Sequence, residues 1–193
     1  ETGTALVAAR TALVDSLAPV LSEVYDHVAE RAAHVTLTYQ RSWAGALDSG
    51  LDSAALAGPD SASDSGLLAA LLAALLAARS EDLRRGLTTV GPHRDDLVIS
   101  LAALPSRTHA SQGEQRSLAL ALRVAGHLLL TRELGGPPLL LLDDVFSELD
   151  ADRSAALLAT LPEGQGLVTT ALPLPAQAQP ALVVRVESGK ILP

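Results

Sequence analysis

Two adjacent carboxylates follow a run of four leucines within residues 139–150 (LLLLDDVFSELD). A short, wholly apolar run predicts a strand inside a covered sheet, and the carboxyl edge of such a strand is where α/β folds bind ligands. Neighbouring residues on a strand point to opposite faces, so Asp143 and Asp144 are expected to do different work. One would bind Mg²⁺ and the other would act on a water, as phosphoryl transfer requires. A purely structural interpretation, in which the acids only end the strand, stays open.

A serine-led helix start lies upstream, at residues 111–115 (SQGEQ). Free N–H groups and the positive end of the helix dipole favour an anion there, and Gly113 permits a phosphate to approach the backbone. Ser111 can add its hydroxyl. The same residues also fit a structural capping box between Ser111 and Glu114, and Glu114 would repel a phosphate unless it points away. Asp150 likewise fits a plain helix N-cap.

Two groups of elements would position these residues. The first group comprises a long helix over 4–33, a strand over 34–40, a polar loop over 41–65 and an apolar helix over 67–79 that continues or ends by 86. The second comprises strands at 97–101, 139–142, 166–170 and 182–186, helices at 115–133 and 150–161, and a turn at Gly189. Alternating strands and helices are typical of an α/β fold. We therefore predict a mostly helical domain over 1–88 and an α/β domain over 89–193.

The composition excludes several classes of site. The absence of cysteine excludes disulfides and thiolate metal sites, and the histidines are too scattered to indicate a metal site. A net charge of -8 argues against a broad nucleic-acid surface, and an aromatic content of 2% leaves little for base stacking. No signal peptide is recognisable, and the longest apolar run, over 67–78, is too short to span a bilayer. A soluble cytoplasmic protein is expected.

A phosphate-binding loop of the G-x-x-x-x-G-K-[ST] type is absent from the sequence. The single lysine, Lys190, stands in an SGK string near the end. The chain begins at Glu1 and contains no methionine, so we expect it to be a carboxy-terminal portion of a longer protein. Negligible ATP binding by this chain alone is the corresponding expectation.

The chain contains, in order, a serine-led helix start, an apolar strand that ends in two acids, and the string SELD at 147–150. This order resembles that of the signature motif, the Walker B strand and the D-loop in ATP-binding-cassette ATPases. GPHRDDL at 91–97, SQGEQRS at 111–117 and LLLLDDVFSELD at 139–150 together resemble the RecF family of bacterial DNA-repair proteins. The opening helix with HVTLTYQRS is similar to the arm domain of that family. The implied fold is the second lobe of an ABC-type ATPase plus a helical arm.

The resemblance also implies roles for individual residues. Members of the family bind ATP between two copies in a head-to-tail dimer. By analogy, Asp143 coordinates Mg²⁺ and Asp144 is the catalytic carboxylate that polarises water. Ser111, Gly113 and Gln115 would contact the γ-phosphate of a nucleotide held by the other copy.

Four further positions follow from the same resemblance. Ser147 and Asp150 would lie at the dimer seam. The histidine switch of many cassette ATPases falls at Thr169 or Thr170 here. Threonine can hydrogen-bond a phosphate but carries no proton, so slow hydrolysis that serves as a switch is expected.

The partners implied by the resemblance are gapped or double-stranded DNA, without sequence specificity, and RecR and RecO in a pathway that loads RecA. The acidic balance of the chain leaves few residues for DNA contact. Either a lobe outside this chain supplies the basic surface, or a small set of arginines does: Arg84, Arg85, Arg107 and Arg116.

Three other interpretations stay open. The chain could be a non-catalytic dimerisation or partner-binding half-domain. It could belong to another SMC-like ATPase, although no long heptad coiled coil is present. His93-Arg94-Asp95 resembles a kinase catalytic loop, but Ser100 stands where a kinase needs Asn. For residues 91–97 we favour a structural role, in which Pro92 fixes the chain's return from the arm and Arg94 pairs with Asp95, Asp96 or another acid. An Arg94 that faces nucleotide or DNA stays open.

Overall fold

The computed structural model of the chain describes residues 2–29, 33–44, 64–161 and 163–192. Most of the loop predicted over 41–65 lies outside these residues. The helices are α1 (Thr2–Val28), α2 (Asp64–Arg85), α3 (Ser106–His109), α4 (Gln112–Leu134) and α5 (Ala151–Thr160), with 3-10 turns at Pro92–Arg94 and Val145–Glu148. The strands are β1 (Val35–Gln40), β2 (Asp96–Leu101), β3 (Leu104–Pro105), β4 (Leu140–Asp143), β5 (Gly166–Thr169), β6 (Arg185–Glu187) and β7 (Lys190–Leu192).

Helix α1 contributes to two separate apolar cores. Near its start, Val7 packs in a cluster with Trp43, residues of α2 such as Leu71, and Val90. Its second half belongs to a larger cluster that also contains β1, β2, α4 and α5. The helix runs through Pro19 and ends at Val28, earlier than the predicted end at residue 33. The periodic leucines and valines of the sequence therefore mark a helix that is shared between cores.

The larger core is built on the packing of α1 against α4. Leu21 and Tyr25 are almost fully buried, as are Ala121 and Ala125 of α4, whose small side chains let the two helices approach. Leu157 of α5 closes the core with no exposed surface. Complete burial of one such leucine contributes about 2 kcal/mol, so this packing holds α4 and α5 against α1.

An antiparallel sheet with the order β1-β2-β3 joins the early and late parts of the chain. Val35 pairs with Leu101 and Gln40 pairs with Asp96. β1 comes from the predicted helical domain and β2 from the predicted α/β domain, so the sheet connects the two sides of the boundary placed near Thr88. The boundary itself stays a prediction.

Residues 91–97 tie this sheet to α1. The Asp95 carboxylate accepts hydrogen bonds from the Tyr39 hydroxyl at 2.6 Å and from the Ser42 amide at 2.8 Å. Arg10 of α1 donates to the Pro92 carbonyl at 2.6 Å. These contacts support the structural interpretation of the segment.

The partner predicted for Arg94 differs from the one observed. Its Nε donates to the Thr88 carbonyl at 3.1 Å, whereas Asp96 lies 3.5 Å from Arg107. Arg94 therefore holds the backbone of the incoming segment, because the neighbouring acids are already engaged.

Strands β4 and β5 form a two-stranded parallel sheet in which Leu140 pairs with Gly166 and Asp143 with Thr169. The strand was predicted to be covered on both faces, and that is wrong for the described residues: 65% of Leu141 is exposed. Only one edge of β4 is paired by a described strand. The apolar side chains that indicated a buried strand therefore lie open on one side.

The last two strands form an antiparallel hairpin, β6-β7. Ser188 and Gly189 both have positive φ, 49° and 76°, as a two-residue hairpin turn of the primed type requires. The turn predicted at Gly189 is confirmed. The preceding strand begins at Arg185, later than the predicted 182.

Among the described helices, α1 alone has the length and apolar content to cross a bilayer. Core helices share these properties. The second half of α1 packs in the larger core.

Candidate functional site

The ends of β4 and β5 bring an acid and a threonine together. The Thr169 hydroxyl donates a hydrogen bond to Oδ1 of Asp143. The amide of Asp144 donates to the Thr169 carbonyl at 3.0 Å. Asp143, Asp144 and Thr169 therefore share the carboxyl edge of a parallel pair, where α/β folds place ligands.

Asp144 does not extend the strand as the sequence predicts. Its backbone is left-handed, with φ 48° and ψ 26°, and it starts the 3-10 turn. The prediction that the two acids point to opposite faces of one strand is therefore wrong, because β4 ends at Asp143. Aspartate is among the few residues other than glycine that adopt this conformation readily.

The turn that holds Asp144 is anchored on both sides. Ser147 donates to the Asp144 carbonyl from its amide at 3.2 Å and from its hydroxyl at 2.8 Å. Phe146 is buried in the larger core. Asp150 then caps α5, accepting from the Arg153 amide at 2.8 Å, so the N-cap interpretation of Asp150 is confirmed. Ser147 and Asp150 both lie in the connection between β4 and α5.

The start of α4 forms a complete capping box. Ser111 Oγ accepts from the Glu114 amide at 3.3 Å, and the Glu114 carboxylate accepts from the Ser111 amide at 2.7 Å. The same carboxylate also accepts from the Ser111 hydroxyl at 2.8 Å. Glu114 thus points toward Ser111 in this state, and a phosphate at this helix start requires Glu114 to move away.

The other two residues of the helix start have different surroundings. Gln115 donates from Nε2 to the Ala110 carbonyl at 3.0 Å, so its side chain supports the segment before α4. Gly113 lies against Arg153, whose Nη2 is 3.5 Å from the point where a Cβ on Gly113 would stand. The sequence did not single out Arg153; the only signal was its spacing of three residues from the Asp150 N-cap.

Thr170 is separated from the acids by its own turn. Its hydroxyl donates to the Leu172 carbonyl at 3.1 Å and accepts from the Leu172 amide at 3.0 Å. Of the two candidate switch positions, Thr169 is the one next to Asp143. The structure therefore forms two clusters, with Asp143, Asp144 and Thr169 at the sheet edge and Ser111, Gly113 and Gln115 at the start of α4.

Known proteins resemble the chain over nearly its whole length. It is 40% identical over 173 residues to the DNA replication and repair protein RecF of Rhodococcus erythropolis. It is equally identical over 170 residues to RecF of Symbiobacterium thermophilum. Over the region it spans, the chain is therefore similar to RecF proteins. The matched segment is 89% of this chain and 42% of the Rhodococcus RecF, so the chain spans less than half of that relative.

Solved RecF structures share the fold. The recombination mediator protein RecF with ATPrS, of the RecFOR pathway, matches 98% of this chain and 46% of that one, with a TM-score of 0.75 and 26% identity. The ATP form of RecF gives a TM-score of 0.71. No family model matches the chain. The predicted α/β fold, with a lobe of the RecF type, is confirmed.

The donor set at the RecF-like sheet edge suits magnesium. Asp143 and Asp144 offer exposed carboxylates, and Mg²⁺ is commonly held by one or two carboxylates while phosphates and waters complete its shell. Within the described ranges, no group of three or more histidine or acidic side chains could enclose a metal on its own. Any magnesium held here would need oxygen ligands from a nucleotide or solvent.

Proposed function

We propose that this chain provides part of an ATP site in a RecF-type protein of DNA replication and recombinational repair. The observation that carries the proposal is the meeting of Asp143, Asp144 and Thr169 at one parallel sheet edge. The similarity to RecF structures solved with ATP and ATPrS supports it. The whole protein is proposed to be cytoplasmic and to hydrolyse ATP slowly in a head-to-tail dimer.

In this proposal each residue has a separate task. Bound Mg²⁺ would neutralise phosphate charge. Asp143 would hold the ion, oriented by the Thr169 hydroxyl, and Asp144 would polarise the attacking water. Across the dimer, Ser111, Gly113 and Gln115 would face the nucleotide of the other copy. Because the sequence has no phosphate-binding loop, the β- and γ-phosphates must be held by residues outside this chain.

The proposed DNA role depends on few arginines. Arg84 and Arg85 both pair with Glu81, and Arg107, with 81% of its side chain exposed, pairs with Asp96. Exposed ion pairs of this kind contribute little, so DNA phosphates could displace them. We propose gapped or double-stranded DNA as the ligand of the whole protein, with RecR, RecO and RecA as its pathway partners.

The ATP site can be tested by substitution in the full-length parent protein. Asp144→Asn should preserve ATP binding and abolish turnover, because asparagine tolerates the left-handed backbone but carries no negative charge. Asp152→Asn, an exposed acid in the first turn of α5, is the matched control and should retain turnover. Unchanged hydrolysis in Asp144→Asn would remove Asp144 from the catalytic role.

A second candidate function is a dimerisation or partner-binding module without catalysis. The closed capping box favours it, since Glu114 occupies the helix start where a phosphate would bind. Ser111→Arg in the full-length protein separates the two. ATP-driven dimerisation should be lost if the helix start meets nucleotide, whereas dimers that form equally without ATP would support the module.

A further inference from the structure

A single arginine side chain lies between the starts of two helices. Arg153 of α5 has only 16% of its side chain exposed, and its Nε lies 3.6 Å from Oδ2 of Asp150. Its two terminal nitrogens are 3.5 and 3.7 Å from the position of a Cβ on Gly113. The guanidinium therefore lies against the α5 cap and beside Gly113 in the first turn of α4.

A cation is not favourable in this place by itself. The N-terminus of a helix carries partial positive charge, and a largely buried guanidinium needs carboxylates around it. Asp150 supplies one directly, and Glu114 stands in the first turn of α4. Tyr25 of α1 lies within range of both charges. Burial raises the pKa of Tyr25 most, Glu114 raises this pKa further, and Arg153 lowers it.

Arg153 lies over the backbone of Gly113 in the first turn of α4. A Cβ at this position would meet the guanidinium at ordinary van der Waals distance, so the arrangement does not depend on glycine. A lysine could not make the same contact, since its single ammonium lacks the planar fork that reaches two groups at once.

We propose that Arg153 is a positioning residue that locks the start of α4 to the start of α5. The segment Ser111–Gly113 and the connection from Ser147 to Asp150 then move as one unit. The consequence for assembly rests on the proposed function. There, both segments meet the second copy, and a loose junction would weaken the dimer while ATP binding to each monomer stays unchanged.

Hydrogen exchange on the nucleotide-free full-length protein tests the lock directly. In Arg153→Ala the hydrogen-bonded amides of residues 114–116 and 153–154 should exchange about tenfold faster, while those of residues 7–14 keep their rate. Arg153→Lys should give an intermediate result. Arg123→Ala, which removes an exposed arginine farther along α4, is the control and should change neither segment. Unchanged exchange at both helix starts in Arg153→Ala overturns the proposal.

A variant that keeps the packing guards against a folding defect. If circular dichroism shows that Arg153→Ala is unfolded, the exchange experiment is done with Arg153→Met, because methionine fills similar space without charge. Faster exchange confined to the same two segments supports the lock. Wild-type exchange in a folded Arg153→Met protein overturns it.

Sedimentation with ATP distinguishes this inference from the proposed function. Arg153→Ala should weaken ATP-driven dimerisation about tenfold at unchanged monomer affinity for ATP. Equal dimerisation by the variant and the wild type overturns the proposed coupling. A wild-type protein that does not dimerise with ATP contradicts the proposed function instead. In that case the hydrogen-exchange experiment still tests whether Arg153 holds the two helix starts together.

Discussion

Gly113 has two properties that can be separated experimentally. It is the second residue of α4, where glycine is a poor helix former, and it leaves the backbone open beside Arg153. If a phosphate approaches there, the missing side chain serves ligand binding at a small cost in stability. A substitution of Gly113 is therefore expected to change the stability of the fold and the binding of phosphate in opposite directions.

Gly113→Ala should leave the melting temperature equal or slightly raised, since the added Cβ meets Arg153 at an ordinary 3.5 Å. ATP-driven dimerisation of the full-length protein should fall, because the methyl group would obstruct the phosphate. Gly126→Ala is the matched control: it lies in the same helix with open space around it, and should stabilise by about 0.5–1 kcal/mol without affecting dimerisation. Wild-type dimerisation in Gly113→Ala would contradict phosphate contact at this position.

Tyr39 is expected to make the stability of the folded protein fall at alkaline pH. Its pKa is raised by burial first and then by its hydrogen bond to Asp95, and the pKa of Tyr25 is raised as well. A raised pKa means that the folded state holds the proton more tightly. The resulting stability is present below about pH 10 and is lost as the pH rises through the folded-state pKa.

Tyr39→Phe should lower stability by about 1 kcal/mol at neutral pH through the lost hydrogen bond. It should also make the decline in stability above about pH 10 shallower. Urea unfolding between neutral and alkaline pH measures both effects, with little interference because Lys190 is the only lysine. A decline as steep as that of the wild type would show that Tyr39 is not responsible.

At the scale of elements, the sequence predicted which segments are helices and strands better than what surrounds them. The capping residues Ser111 and Asp150 marked two helix starts correctly, although α4 begins at Gln112 and not at 115. The exposure of β4 could not be predicted, because apolar residues do not reveal which partner covers them. The left-handed backbone of Asp144 was also missed, since an acid after a strand gives no sign of it.

Sequence periodicity also missed the junction at Arg153. One arginine on the first turn of an amphipathic helix is normally exposed, and only the fold brings Gly113 beside it. The two candidate clusters were predicted from motif order, while their surroundings depend on packing between helices that are distant in sequence.

The turn between β2 and β3 is built from residues unsuited to it. Ala102 and Ala103 have φ of 48° and 67°, which costs a residue with a side chain about 1 kcal/mol each. Ala103→Gly should therefore raise the unfolding free energy by about 1 kcal/mol, measured by urea denaturation. Ala110→Gly is the opposite control, because Ala110 has an ordinary φ of -73° and should lose stability. A loss of stability in Ala103→Gly would contradict the strained turn.

At the scale of the whole molecule, one half of the proposed ATP site is missing from the sequence. The acids and the helix start are present, but the loop that would cradle phosphates is not. The RecF similarity extends over 42% of the Rhodococcus relative, in agreement with a partial site.

Isothermal titration calorimetry of the 193-residue chain with ATP and Mg²⁺ should therefore show no measurable binding. The same titration of the full-length protein is the control and should show binding. Tight binding by the short chain would mean that its own residues hold the phosphates, contrary to the proposal.

Helix α1 has a consequence for dissecting this protein. Val7 serves one core and Leu21 the other, and α4 rests on the second half of the same helix. A truncated product starting at residue 89 would retain every candidate ATP-site residue. It would nevertheless present Leu118 and Val124 of α4 to water, so aggregation of such a product would report the loss of a covering helix and not the absence of ATP-site function.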